Sequence, residues 1–115
     1  MNQPHLSTHV LDTSRGSPVS NLQVKLEKYT ENKWTNIGNC KTSATGRCEN
    51  LIKEGILLTQ GKYKLIYNVD DYFLSTNTSS FYSTIEIIFD INNPNENYHI
   101  PLLLNPFGYT TYRGT

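Results

Sequence analysis

The chain has 115 residues, 37% of them hydrophobic and 17% charged, with ten basic and ten acidic side chains and a net charge of zero. That length suits one domain, residues 1–115, built on one core. The balanced charge excludes the basic field of a nucleic-acid binder, and no apolar run approaches the roughly 20 residues that span a bilayer.

The first residues, Met1-Asn2-Gln3-Pro4-His5, lack the charged start and apolar stretch of a secretion signal, so a cytoplasmic location is expected. From there on the hydrophobic period is two. A weak strand is expected from about Ser7 to Asp12, and a turn at Arg15-Gly16-Ser17-Pro18. Leu22, Val24 and Leu26 alternate with polar residues, and a second weak strand runs from Lys33 to Lys41. Ala44-Thr45-Gly46 reads as a turn, and beyond Gln60-Gly61 the row Tyr63, Leu65, Tyr67, Val69 alternates with polar positions. Asp70 to Thr78 fits no strand; Asp70 or Asp71 is expected to cap one short helix there. Two further rows follow, Ile85, Ile87, Phe89, Ile91 and Tyr98, Ile100, Leu102, Leu104, each the mark of a strand burying one face. Asn92-Asn93-Pro94-Asn95 and Asn105-Pro106-Phe107-Gly108 mark the turns around the last row. Seven or eight short strands at this spacing predict a β-sandwich.

The last row has a second face, His99, Pro101 and Leu103, which is apolar at two of three places. Pro101 also lacks an N–H, which suits an edge or an unpaired position. An apolar outer face points to packing against another subunit or to local irregularity; this strand alone does not decide between them. Cys40 and Cys48 do not form a disulfide framework and read as two reduced thiols, although a turn near Ala44 would place them opposite each other.

Few residues carry chemistry. His9 and His99 are two of only three histidines. Taken alone, a strand histidine is more often structural or simply exposed, yet its ordinary pKa suits proton transfer at neutral pH. Arg47 reads either as a turn residue in solvent or as a planar fork for substrate oxygens. His5 and His9 would share a strand face, but no carboxylate or cysteine cluster accompanies them, so no metal and no cofactor are expected. A Gly-x-Ser-x-Gly nucleophile elbow does not occur in the chain.

Four stretches taken together, residues 7–28, 42–50, 61–73 and 98–115, resemble the transthyretin-like family. The closing Tyr112-Arg113-Gly114-Thr115 resembles its enzyme branch, the 5-hydroxyisourate hydrolases, rather than its hormone-carrier branch. The resemblance implies an all-β, eight-stranded sandwich with one short helix, assembled as a homotetramer with sites at subunit interfaces. It implies hydrolytic opening of the six-membered ring of 5-hydroxyisourate in urate breakdown. Carried over residue by residue, His9, His99 and Thr115 take catalytic positions. His9, Arg47 and Tyr112 bind substrate, while Arg113 and Gly114 support the tail. A hydroxyl and an α-carboxylate at Thr115 would orient a histidine or the attacking water. Three departures from the family pattern, Thr115 for Ser, Asn105 for Ser, and Ser83 where Pro is frequent, remove no reactive group. The alternative is a small-molecule carrier using the same channel. Polar His9, Arg47 and His99 tell against it, because a carrier needs apolar walls.

Overall fold

The computed structural model describes residues 4–115; of the segment read above for a secretion signal, Met1–Gln3 lie outside the described residues. Ten elements follow one another: β1 (Leu6–Asp12), β2 (Ser17–Pro18), β3 (Gln23–Thr30), β4 (Lys33–Lys41), β5 (Arg47–Cys48), β6 (Gly61–Tyr67), α1 (Val69–Ser75), β7 (Ile85–Ile91), β8 (Tyr98–Asn105) and β9 (Gly108–Thr111). They form two sheets. One runs β2-β1-β8-β9, with β5 also paired to β1; the other runs β4-β3-β6-β7. The fold is the transthyretin-like sandwich with one short helix. The described residues form nine strands, one more than the eight expected, and two of them, β2 and β5, are two-residue pairings beside β1.

The core lies where the alternation placed it. Val24, Leu26, Tyr63, Leu65 and Tyr67 from one sheet face Val10, Ile100, Leu102 and Leu104 from the other, all buried. Val69, read as the end of a strand row, instead opens α1, where it is buried with Phe73. The expected cap is also corrected. Asn68 stands at the N-cap and makes no side-chain cap bond, whereas Asp70 and Asp71 occupy the first turn, where the helix dipole favours acids. Tyr72 on α1 donates to Asp12 Oδ2 at 2.6 Å and fastens the helix to the end of β1. Burial, then the Asp12 bond, push the Tyr72 phenol up to about 12.

β8 is an inner strand. It pairs in parallel with β1 from Leu6↔Tyr98 to Asp12↔Leu104, and antiparallel with β9 from Leu102↔Thr111 to Asn105↔Gly108. Pro101 meets no edge, but it is unpaired on the β9 side. The β8–β9 ladder stops at Leu102, one residue before the missing N–H would be needed, and the Pro101 carbonyl accepts from Thr111 Oγ1 at 2.7 Å. The tail then rejoins in the same register, with Gly114 N donating to His99 O at 2.7 Å. Tyr112 and Arg113 span the gap.

The two cysteines are the clearest correction. Cys40 and Cys48 form a disulfide, not two thiols, with their Cα atoms 6.2 Å apart. The segment between them closes on itself, with Ser43 N bonded to Arg47 O and Gly46 N to Ser43 O. Cys48 therefore returns opposite Cys40, and the bridge ties β4 of one sheet to β5 of the other.

Candidate active site

Alternation along β1 decides which side chains leave the core. Leu6, Thr8 and Val10 are buried, so Ser7, His9 and Leu11 line the outer face. The inward Thr8 hydroxyl donates to Ile100 O at 2.6 Å and bonds the Tyr67 hydroxyl at 2.8 Å, joining both sheets beneath the site. Burial is the main reason the Tyr67 phenol is held well above its ordinary value.

The register assembles the outer face. Ser7 lies beside His99, His9 beside Pro101, and Leu11 beside Leu103 on the parallel partner. On the other side of β1, His9 lies opposite Arg47. One half of this face is thus polar (Ser7, His9, Arg47, His99) and the other apolar (Leu11, Pro101, Leu103). Within the apolar half, Pro101 is buried and Leu103 half-buried.

Each histidine has one ring nitrogen engaged. His9 Nε2 lies 2.9 Å from the Thr45 carbonyl oxygen. A carbonyl only accepts, so in neutral His9 the proton sits on Nε2 and Nδ1 keeps the lone pair. The loop that aims this carbonyl depends on Gly46, at φ +80°, where an added Cβ would lie 2.5 Å from Val10 O. His99 Nδ1 lies 2.8 Å from Ser7 Oγ. Gly114 packs against the same ring, with room for no side chain: an added Cβ would stand 2.8 Å from His99 Cδ2.

His99, Arg47, Gly114 and Thr115 line a cleft of about 340 Å³ together with His5, Ser7, Glu49 and Asn97. His99 is held below the ordinary histidine value of 6.5, first by burial, then by the positive Arg47 and by His9, against an opposing pull from Glu49. The sequence reading passed over Ser7 and Glu49. Both lie inside stretches that carry the family resemblance, 7–28 and 42–50, but no role attaches to them there, and only the β1–β8 register and the return of β5 bring them beside His99.

The last tetrapeptide is divided. Gly114 and Thr115 join the cleft, whereas Tyr112 and Arg113 line a neighbouring hollow of about 320 Å³ with Ile87, Phe89, Tyr98 and Ile100. Arg113 pairs with Glu96 Oε1 at 3.2 Å and lies over the Tyr98 ring, 4.5 Å from its centre, so it anchors the tail. Tyr112 is 56% exposed. Among the described residues, no three His, Cys, Asp or Glu side chains are grouped to hold a metal ion.

With this geometry in place, a family model described as the HIUase/Transthyretin family matches residues 6–114. The chain belongs to that family. It is 41% identical over 110 residues to a probable 5-hydroxyisourate hydrolase of Caenorhabditis elegans, covering 96% of this chain and 80% of that protein. It is 36% identical over 112 residues to the 5-hydroxyisourate hydrolase of Mus musculus, covering 96% and 94%. Among solved structures it superposes on Klebsiella pneumoniae 5-hydroxyisourate hydrolase with a TM-score of 0.83 at 31% identity, covering 97% and 99% of the two chains. Sea bream transthyretin in complex with thyroxine matches with a TM-score of 0.86 at 31% identity, covering 96% and 94%. Backbone likeness therefore does not separate enzyme from carrier; the side chains on the outer face have to.

Proposed function

We propose that this chain, as a single domain, hydrolyses 5-hydroxyisourate to 2-oxo-4-hydroxy-4-carboxy-5-ureidoimidazoline, without metal or other cofactor. The observation that carries the reading is the polar half-face of β1, β5 and β8, where His99 and Arg47 share a cleft and His9 stands directly across the ladder from Arg47. The names of the relatives, at 41% and 36% identity, support the same substrate. In the proposed reaction one histidine takes a proton from water as its oxygen bonds to a ring carbonyl carbon. The C–N bond then breaks, and the other histidine supplies the proton that the leaving nitrogen needs. The Arg47 guanidinium holds the substrate oxygens and steadies the charge that develops on them. Thr115 supports the reacting group from the cleft wall.

The carrier reading has one observation in its favour, the equally good match to sea bream transthyretin. It is weakened by a cleft walled with His5, Arg47, Glu49 and His99. We propose a homotetramer in which the half-buried Leu11 and Leu103 meet a second copy and the polar half-faces enclose a channel. In that assembly the exposed Tyr112 is free to hold substrate bound against a neighbouring subunit. No described helix is long and apolar enough to cross a membrane. The cytoplasm is the proposed location, with the Cys40–Cys48 bridge as the observation against it, since disulfides persist mainly in oxidising compartments.

The deciding experiment follows the ultraviolet decay of freshly made 5-hydroxyisourate against its spontaneous rate, with and without a chelator, on protein whose mass is measured by sedimentation. We expect acceleration that the chelator does not touch, from a tetramer, with His9→Asn and His99→Asn each losing roughly 10²-fold or more. Decay no faster than the spontaneous rate overturns the hydrolase reading. Loss of activity to the chelator overturns its metal-free part, and an active monomer its interfacial part.

A further inference from the structure

The two histidines are held in chemically different ways. The Thr45 carbonyl that engages His9 Nε2 can only accept, so it admits one neutral tautomer. The Ser7 hydroxyl that engages His99 Nδ1 can donate or accept by rotating its proton. When His99 carries its proton on Nε2, Ser7 donates to Nδ1. When Nε2 is bare, or when both nitrogens are protonated, Nδ1–H donates to Ser7. The heavy atoms need not move between these states.

We propose that Ser7 is a positioning residue for the reaction, one that lets His99 take up and release a proton at Nε2 without changing the orientation of its ring. Three observations converge on this arrangement. The parallel register sets Ser7 directly beside His99. Gly114 closes the Cδ2 side of the ring so tightly that an added Cβ would have no room, leaving the ring little freedom to turn. Nδ1 has Ser7 as its partner, and among the described residues Nε2 has none, while the ring lines the cleft. In the transfer, neutral His99 has its proton on Nδ1, bonded to Ser7, and its bare Nε2 takes a proton from the attacking water as the water oxygen bonds to the ring carbonyl carbon. The imidazolium so formed then gives the Nε2 proton up to solvent, and Nδ1–H donates to Ser7 throughout. Other groups facing the ring are His9 on β1, Arg47 on β5, Glu49 just beyond it, and His5 and Thr115 on the cleft walls. Ser7 is the one in contact with Nδ1.

This inference rests on the hydrolase reading, and its test keeps the two apart. Ser7→Ala and Ser7→Thr are compared with wild type in 5-hydroxyisourate turnover. The 15N signals of the His99 ring are recorded without substrate and assigned through His99→Asn. Ser7→Ala is expected to lower kcat roughly tenfold, less than loss of the acid or base itself, with KM and thermal midpoint nearly unchanged. Ser7→Thr keeps a hydroxyl and should restore kcat. The Nδ1 signal of His99 should shift in Ser7→Ala and stay near wild type in Ser7→Thr. An unchanged Nδ1 signal in Ser7→Ala overturns the inference, as does a kcat loss that Ser7→Thr fails to restore. If wild type itself does not accelerate the decay, the hydrolase reading fails, and the 15N comparison still decides whether Ser7 sets the state of His99.

Discussion

At the scale of single residues, the pH response follows from the charges around His99. Its pKa lies below 6.5 in the fold because burial, Arg47 and His9 all disfavour the imidazolium. The unfolded chain therefore binds more protons than the native one between the lowered value and 6.5. The stability due to neutral His99 is complete above pH 6.5 and is lost as pH falls through that window. Catalysis that uses the neutral ring should persist into the same window, so the acid limb of kcat/KM should fall below pH 6.5. Glu49 pulls the other way, and Glu49→Gln should move the limb lower still. Profiles of wild type, Glu49→Gln and His99→Asn check this. A limb at or above 6.5, or one that Glu49→Gln moves upward, contradicts the electrostatic account of the cleft.

At the scale of elements, the Cys40–Cys48 bridge and the β1–β5 ladder hold the short segment that presents Arg47 and the Thr45 carbonyl. Closing a loop between residues eight apart stabilises by something on the order of 2 kcal/mol. Cys40→Ala should lose about that much in denaturant unfolding, and its KM should rise because Arg47 is no longer tethered. Equal stability of Cys40→Ala and oxidised wild type would show that the β1–β5 ladder alone suffices. The elements themselves were legible because alternation is local: Tyr63, Leu65, Tyr67 and Tyr98, Ile100, Leu102, Leu104 declare their buried face within a few residues. Val69 misled, since a buried residue on a helix looks the same as one on a strand. Whatever depends on pairing was not legible. The parallel β1–β8 register, the tail returning from Thr111 to Gly114 and Ser7 beside His99 are contacts between distant segments, whereas the Cys40–Cys48 bridge is local and was missed because two cysteines alone do not declare their redox state. Of the expected site, His9, Arg47, His99 and Thr115 gather on or beside one polar half-face, while Tyr112 turns to a separate hollow, which no reading of the tetrapeptide alone could distinguish.

At the scale of the whole molecule, the two sheets have unequal histories along the chain. The four-stranded sheet is built from antiparallel neighbours, and Trp34, on its edge strand β4, reports on it. The five-stranded sheet closes only when β8 lies down in parallel beside β1, with Ser7 and His99 separated by 92 positions. A nascent chain emerging from the ribosome would therefore carry β1 with one flank bare through most of its synthesis. Bare strand flanks invite pairing with other chains. Contacts this distant also form late, because a long loop must close before they contribute. In refolding from denaturant, Trp34 fluorescence should recover before hydrolytic activity, and crowding several chains together should lower the yield of activity more than the yield of fluorescence. Simultaneous recovery at every concentration would mean that both sheets condense in one step. The same parallel seam that sets Ser7 beside His99 is thus the contact expected to close last, and the cleft's activity the readout expected to mark the end of folding.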